Sequence, residues 1–142
     1  MKTSARNHFE GTVIAYKTGA VNDVVELEIA GGARIVAVVT HESAEHLGLK
    51  PGAKAFALIK ASSVIVATDL DGVRLSARNQ MKGTVLTVTP GAVIAEVVID
   101  VGGGVHMAAI VTQGSMQSMG LAAGQQATAL FKASSVLVGT KV

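Results

Sequence analysis

The chain contains the same segment twice, at one fixed spacing. When the sequence is shifted by 72 positions, Ser4-Ala5-Arg6-Asn7 falls on Ser76-Ala77-Arg78-Asn79, and Lys60-Ala61-Ser62-Ser63-Val64 falls on Lys132-Ala133-Ser134-Ser135-Val136. Of the 67 positions from 4 to 70 that are aligned in this way, 30 are identical. The fold must therefore be one small domain made twice. We predict a first copy over residues 1–70, a short connector over 71–75 and a second copy over 76–142.

Composition places the chain among ordinary globular proteins. Of its 142 residues, 49% are hydrophobic and 15% are charged, which is typical of a packed domain. No apolar signal segment begins the chain, and no run approaches the roughly 18 apolar residues of a membrane span. We therefore expect a cytoplasmic protein without membrane contact. The net charge of +2 comes without any basic run, so a nucleic-acid partner is not indicated.

The hydrophobic pattern of each copy predicts mostly strands. Val24–Ile29 alternates apolar and charged residues, and Arg34–Thr40 is rich in β-branched residues, so the two segments form a hairpin around Ala30–Ala33. Further strands are predicted over Asn7–Tyr16, Lys54–Lys60 and Ser63–Thr68, the last of which closes the unit. A helical turn is predicted from Ser43, as its N-cap, to Gly48. The predicted fold class is all-β, with two tandem five-stranded OB-like barrels that each carry one short helical turn.

Several kinds of functional site have little support. The four histidines lack a ligand spacing joined to a carboxylate, so no metal cation site is assigned. Absence of cysteine excludes disulfides and thiolate metal sites. No Ser/His/Asp set recurs between the copies, so no residue is assigned as catalytic and the chain is not predicted to be an enzyme. Three Phe and one Tyr are too few for a base-stacking surface. The glycine pairs indicate hairpin turns rather than phosphate loops.

Hydrogen-bond donors are what the two copies share. The donors of the first copy are Ser4, Arg6, Thr40, Ser43, Lys60 and Ser62, and those of the second are Ser76, Arg78, Thr112, Ser115, Lys132 and Ser134. A tetrahedral dianion offers only acceptors, so a set of donors with little carboxylate suits it. Backbone N–H groups of the helical turn would add donors. On spacing alone, turn capping by Ser and Thr and a merely bordering role for Lys and Arg stay open.

The order of these motifs resembles one known family. Ser-Ala-Arg-Asn, Gly-Thr-Val, Gly-Ala-Val-Asn, Thr-x-x-Ser, Leu-Gly-Leu and Lys-Ala-Ser-Ser-Val together resemble the molybdate-binding Mop domain family, of TOBE type. The double copy is similar to the di-Mop molbindins. The resemblance implies OB-like barrels, trimers of two-domain chains and molybdate or tungstate as the ligand, without a catalytic cofactor. It also implies a cytoplasmic role in storing and buffering molybdenum.

The resemblance also assigns residues to sites. One barrel would supply the Ser-Ala-Arg segment of a main site, and a partner barrel would supply the Thr-x-x-Ser pair and the Lys-Ala-Ser segment. Carried over, the main-site residues are Ser4, Ala5, Arg6, Thr40, Ser43, Lys60, Ala61 and Ser62, with Ser76, Ala77, Arg78, Thr112, Ser115, Lys132, Ala133 and Ser134. A secondary site would use Gly19, Ala20, Val21 and Asn22. Its second-copy counterpart ends in Ile94, which has no side-chain donor, so only backbone N–H groups could bind an anion there, and we assign the secondary-site residues in the first copy.

Two alternatives stay open beside oxyanion storage. The same kind of domain resembles the oxyanion-sensing end of regulators and the accessory domain of transport ATPases, in which case this chain would act through a partner protein. The second alternative is an OB-like interaction domain that binds no anion.

Overall fold

The computed structural model describes all 142 residues and confirms the predicted all-β class. The first copy contains β1 (Asn7–Lys17), β2 (Asn22–Ile29), β3 (Arg34–Thr40), α1 (His41–Leu47), β4 (Lys54–Ile59) and β5 (Ile65–Ala67). The second contains β6 (Asn79–Pro90), β7 (Ile94–Asp100), β8 (His106–Thr112), α2 (Gln113–Met119), β9 (Gln126–Phe131) and β10 (Val136–Gly139). No helix has the length and apolar character needed to cross a bilayer.

The two copies exchange their last strands. One sheet has the order β10-β4-β1-β2-β3 and the other has the order β5-β9-β6-β7-β8, with antiparallel neighbours throughout. The prediction that Ser63–Thr68 closes the first unit is therefore wrong, because β5 pairs with β9 of the second copy. Both closing strands alternate in the same way, so periodicity cannot say which sheet each one joins.

Side-chain size distinguishes the two closing strands. Gly139 of β10 stands opposite Phe56 of β4, and a Cβ atom at Gly139 would lie 2.4 Å from the Phe56 ring. In the other sheet, Ala67 of β5 stands opposite Thr128 of β9. Without the exchange, Ala67 would face Phe56 and its methyl group would meet the ring. The exchanged pairing thus places the smaller residue opposite the larger one.

One core serves both sheets. A single cluster of 25 buried residues includes Val13 and Leu27 from the first copy and Val85 and Ile99 from the second, so the copies form one packed body. Domains of this small size bury little apolar surface alone, and sharing a core offsets that weakness. The β2–β3 and β7–β8 turns also touch: a Cβ atom on Gly31 would lie 2.5 Å from the Cα atom of Gly103.

Each helix begins one turn earlier than predicted. The N-cap is Thr40 and not Ser43: the Thr40 hydroxyl accepts a hydrogen bond from the backbone N–H of Ser43 at 3.1 Å. Thr40 has an extended backbone, which lets its oxygen reach the N–H three residues on. Thr112 caps α2 in the same way, through Ser115 at 3.0 Å. Gly48 ends α1 in the left-handed conformation, as predicted.

Candidate functional site

All of the predicted first-copy donors line one open groove. This first groove has a volume of about 960 Å³. Its lining includes all eight predicted residues of the first copy: Ser4, Ala5, Arg6, Thr40, Ser43, Lys60, Ala61 and Ser62. Ser134 and Ser135 of the second copy also line it, because they directly precede β10, which pairs with β4 at the edge of the first sheet. The Ser-Ala-Arg segment and the two segments that the resemblance assigned to a partner barrel thus line one groove as parts of the same copy.

The donors of the first groove face solvent. Lys60 follows β4 directly and is exposed, and the Arg6 side chain is 53% exposed. Within the Thr-x-x-Ser pair, the Thr40 hydroxyl donates to the Ser43 hydroxyl at 2.7 Å. Ala61, the residue after Lys60, is buried and begins a short turn. The groove thus presents several hydroxyls and two cationic side chains, of which Arg6 is paired with Glu96.

A second groove, of about 450 Å³, carries part of the same set in the second copy. It is lined by Ser76, Ala77, Arg78, Lys132, Ala133 and Ser134. Thr112 and Ser115 do not line it; their hydroxyls bond to each other at 2.8 Å at the start of α2. The structure therefore joins the Thr-x-x-Ser pair to the Arg and Lys segments only in the first groove.

Two carboxylates near the first groove were not predicted from the sequence. Glu42 lines the groove, and Glu96 forms an ion pair with Arg6. Neither acid recurs, since the matched positions are Gly114 and Val24. A search for residues shared by both copies passes over acids present in only one. A comparison of the positions at which the two copies differ, rather than of those at which they agree, would have identified both acids.

The asparagine after each site arginine links the two sheets. Asn7 is buried; its amide nitrogen donates to Ala108 O at 2.9 Å, and its oxygen accepts from Ala108 N at 2.8 Å. Asn79 forms the matching pair with Val36, at 2.8 Å for both bonds. Ala108 and Val36 lie on β8 and β3, the edge strands of the opposite sheets. Sequence reasoning included these asparagines in the motif but gave them no role.

The predicted secondary segment lies in the β1–β2 turn beside a buried acid. Asp23 is fully buried and accepts hydrogen bonds from the Tyr16 hydroxyl, from Gly19 N at 3.0 Å and from His41 Nδ1 at 2.9 Å. The Gly19 N–H is therefore committed to a carboxylate, while Asn22 is exposed. The second copy has Ala, Val and Gln at the positions of Asp23, Tyr16 and His41.

These contacts shift the pKa values of Tyr16, Asp23 and His41, which together are called the Asp23 cluster. Burial acts to raise the pKa of Asp23, but hydrogen bonds from Tyr16, Gly19 and His41 outweigh it and lower that pKa below its ordinary value. The hydrogen bond to Asp23, aided by its charge, raises the pKa of His41. The same carboxylate raises the pKa of Tyr16. Across mildly acidic pH, His41 and Asp23 therefore form a pair of a charged imidazolium and a buried carboxylate.

We expect the Asp23 cluster to make the free energy of unfolding depend on pH. A raised folded-state pKa at His41 stabilises the fold fully below the ordinary value of 6.5, and this contribution is lost as pH rises through the folded value. A lowered pKa at Asp23 stabilises the fold above 3.8 and is lost as pH falls through its folded value. The free energy of unfolding should therefore be greatest between these two values and decline toward alkaline pH.

Urea denaturation at a series of pH values checks this expectation. The matched variant carries Asp23→Ala and His41→Gln, which install the second-copy residues. Its decline in stability between mildly acidic and alkaline pH should be shallower than that of the wild type. An equal decline in both proteins would show that the cluster does not set the pH dependence.

Comparison with known proteins agrees with the repeat. A family model described as the TOBE domain matches residues 3–66 and 75–138. The solved structure of ModG, described as a cytoplasmic molybdate-binding protein and crystallised with molybdate bound, is 47% identical and superposes with a TM-score of 0.96. That match covers 99% of this chain and 100% of the ModG chain.

Longer relatives also match. The molybdenum transport protein ModE of Herbaspirillum seropedicae is 48% identical over 99% of this chain and 52% of its own length. The molybdenum-pterin-binding protein MopA of Rhodobacter capsulatus is 45% identical over 97% of this chain and 52% of its own. The chain thus spans about half the length of these curated relatives. A shorter relative, molybdenum-pterin-binding protein 1 of Clostridium pasteurianum, is 42% identical over 46% of this chain and 97% of its own.

Proposed function

Because the chain belongs to the TOBE-domain family, we propose that it is a cytoplasmic protein that binds and stores molybdate or tungstate and catalyses no reaction. The observation that carries the proposal is the first groove. It gathers Arg6, Lys60 and the hydroxyls of Ser4, Thr40 and Ser43 in one open cavity. Molybdate and tungstate are tetrahedral dianions, and such a set can bind them through charge-assisted hydrogen bonds. ModG, which superposes on the whole chain, was crystallised with molybdate bound.

The residues of the two main sites are part of this proposal. The first site is Ser4, Ala5, Arg6, Thr40, Ser43, Lys60, Ala61 and Ser62, and the second is Ser76, Ala77, Arg78, Lys132, Ala133 and Ser134. Thr112 and Ser115 lie outside the second groove and would serve a groove on a neighbouring chain. At the secondary segment, Asn22 offers a free donor, while the Gly19 N–H is held by Asp23. We therefore rank that segment below the grooves.

We further propose that the chain assembles with copies of itself, as a trimer. Beside each groove stands a large apolar side chain that solvent reaches: Leu137 in the first and Ile65 in the second, each 60% exposed. These are matched positions on the exchanged strands. Burying them against a second copy would remove apolar surface from water and enclose the donors.

A second candidate function is sensing of the oxyanion through contact with a partner protein. The match to ModE of Herbaspirillum seropedicae covers 52% of that protein, so a related segment occurs there within a longer chain. In that role the anion would change how this region contacts a partner protein. Storage and sensing use the same grooves, and they differ only in whether the bound anion alters a contact with another protein.

Competition calorimetry tests the proposal. Molybdate and tungstate should bind more tightly than sulfate, because selectivity among ions of equal charge comes from cavity size and donor spacing. An oligonucleotide should not bind. Light scattering on the same samples should give the mass of three chains. Equal affinity for sulfate and molybdate would contradict the proposed selectivity, and a monomer with or without molybdate would contradict the proposed assembly.

A further inference from the structure

Arg6 of the first groove is held by a carboxylate from the other copy. Both terminal nitrogens of its guanidinium donate to Glu96: Nη2 to Oε1 at 3.0 Å, and Nη1 to Oε2. Glu96 lies on β7 opposite Ile110 of β8, and Ile110 lines the first groove. The ion pair therefore stands at the wall of the cavity in which we place the oxyanion.

The second groove lacks this carboxylate. The position matched to Glu96 is Val24 on β2, opposite Val38, and Val38 lines the second groove together with Arg78. Arg78 takes part in none of the ion pairs of the chain. The molecule thus contains the same arginine twice, once paired with an acid and once free of one.

A carboxylate and a tetrahedral oxyanion compete for the same donors. The planar fork of a guanidinium binds either one through two parallel hydrogen bonds. An oxyanion that takes Arg6 must first displace Glu96, and the displaced charge then repels the anion at close range. Glu42, which also lines the first groove, adds repulsion there, whereas the matched second-copy residue is Gly114. Both differences disfavour an anion in the first groove.

We propose that Glu96 is an internal competitor for the oxyanion at Arg6, so that the first groove binds the anion more weakly and fills after the second. This inference rests on the proposed function and concerns the regulation of the same sites. Two nearly identical grooves would then respond over different ranges of anion concentration. One small protein could hold anion tightly in one place and release it readily from another.

Calorimetry with sodium molybdate tests the inference on the full chain. Lys132→Ala should weaken the second groove, so a gain in affinity on adding a Glu96 substitution in this background reports on the first. Adding Glu96→Val, which installs the residue found at position 24, should tighten the first groove about tenfold. Glu96→Gln keeps the shape of the side chain and should shift affinity in the same direction. The reciprocal change Val24→Glu, made with Lys60→Ala, should weaken the second groove by a similar factor.

Arg6→Ala provides the control that separates this role from a structural one. If Glu96 acts by occupying Arg6, then Glu96→Val should give no gain in affinity when Arg6 is absent. Circular dichroism should show the same fold for all variants, since none of the substituted side chains is buried. Molybdate binding by the wild type with unchanged affinity in both Glu96 variants would overturn this inference and leave the proposed function standing. Absence of molybdate binding by the wild type would overturn both.

Discussion

Alanine at both Lys60 and Lys132 is expected to weaken molybdate binding at both grooves by roughly ten- to a hundredfold. Each lysine offers an ammonium group next to a turn whose remaining donors are hydroxyls and backbone N–H groups. A charge-assisted hydrogen bond contributes about 1.5–3 kcal/mol. Since about 1.4 kcal/mol corresponds to one decade of affinity, its loss gives the stated range. Each single variant should weaken the groove to which its lysine belongs.

Lys54→Gln supplies the matched control. It removes the same charge from an exposed lysine and installs the second-copy residue, Gln126, but Lys54 bonds to Thr12 at 2.9 Å and lines neither groove. Calorimetry should give wild-type affinity for this variant. All variants should remain folded, because Lys60 and Lys132 are exposed and fill no core space. Wild-type stoichiometry and affinity in the double alanine variant would mean that the anion binds elsewhere.

Local features of the fold could be predicted from the sequence because they depend on nearby residues. The β2–β3 hairpin follows from alternation before a glycine turn and β-branched residues after it, and β3 runs over Arg34–Thr40 as predicted. The helix stop at Gly48 follows from the freedom of glycine to adopt a left-handed backbone. The cap at Thr40 could not be predicted because Ser is on average the better N-cap, and only the extended backbone of Thr40 identifies it as the cap here.

Features that join distant residues could not be predicted in this way. The exchange of β5 and β10 depends on whether Ala67 or Gly139 faces Phe56. The contact between the Phe56 ring and the opposing residue decides this, and the hydrophobic pattern of the strands does not show it. The Arg6–Glu96 pair joins residues of different copies whose matched positions hold no such pair. The repeat indicated which donors matter, but it could not show that Thr112 and Ser115 lie away from the second groove.

Asn7→Ala is expected to lower the free energy of unfolding by about 3 kcal/mol. The substitution leaves two buried backbone groups without hydrogen-bond partners, and each such group costs about 1–3 kcal/mol. Asn7 provides the hydrogen bonds to both the N–H and the C=O of Ala108. Ala108 lies on β8, the outer strand of its sheet, so no neighbouring strand can replace those bonds. For a chain of this size, the melting temperature should fall by on the order of 10 °C.

Hydrogen exchange distinguishes loss of the Asn7–Ala108 hydrogen bonds from destabilisation of the whole protein. In Asn7→Ala, the amide of Ala108 should lose protection while that of Val36, held by Asn79, should keep it. Asn79→Ala should give the reverse pattern. Ile14→Leu, which installs the residue of the matched position 86, should change stability by less than about 0.5 kcal/mol. If Ala108 stays protected in Asn7→Ala, the asparagine does not hold the two sheets together. If the protection is lost as expected, the Ser-Ala-Arg-Asn motif combines two roles, since its serine and arginine face the anion groove while its asparagine fixes the opposite sheet behind them.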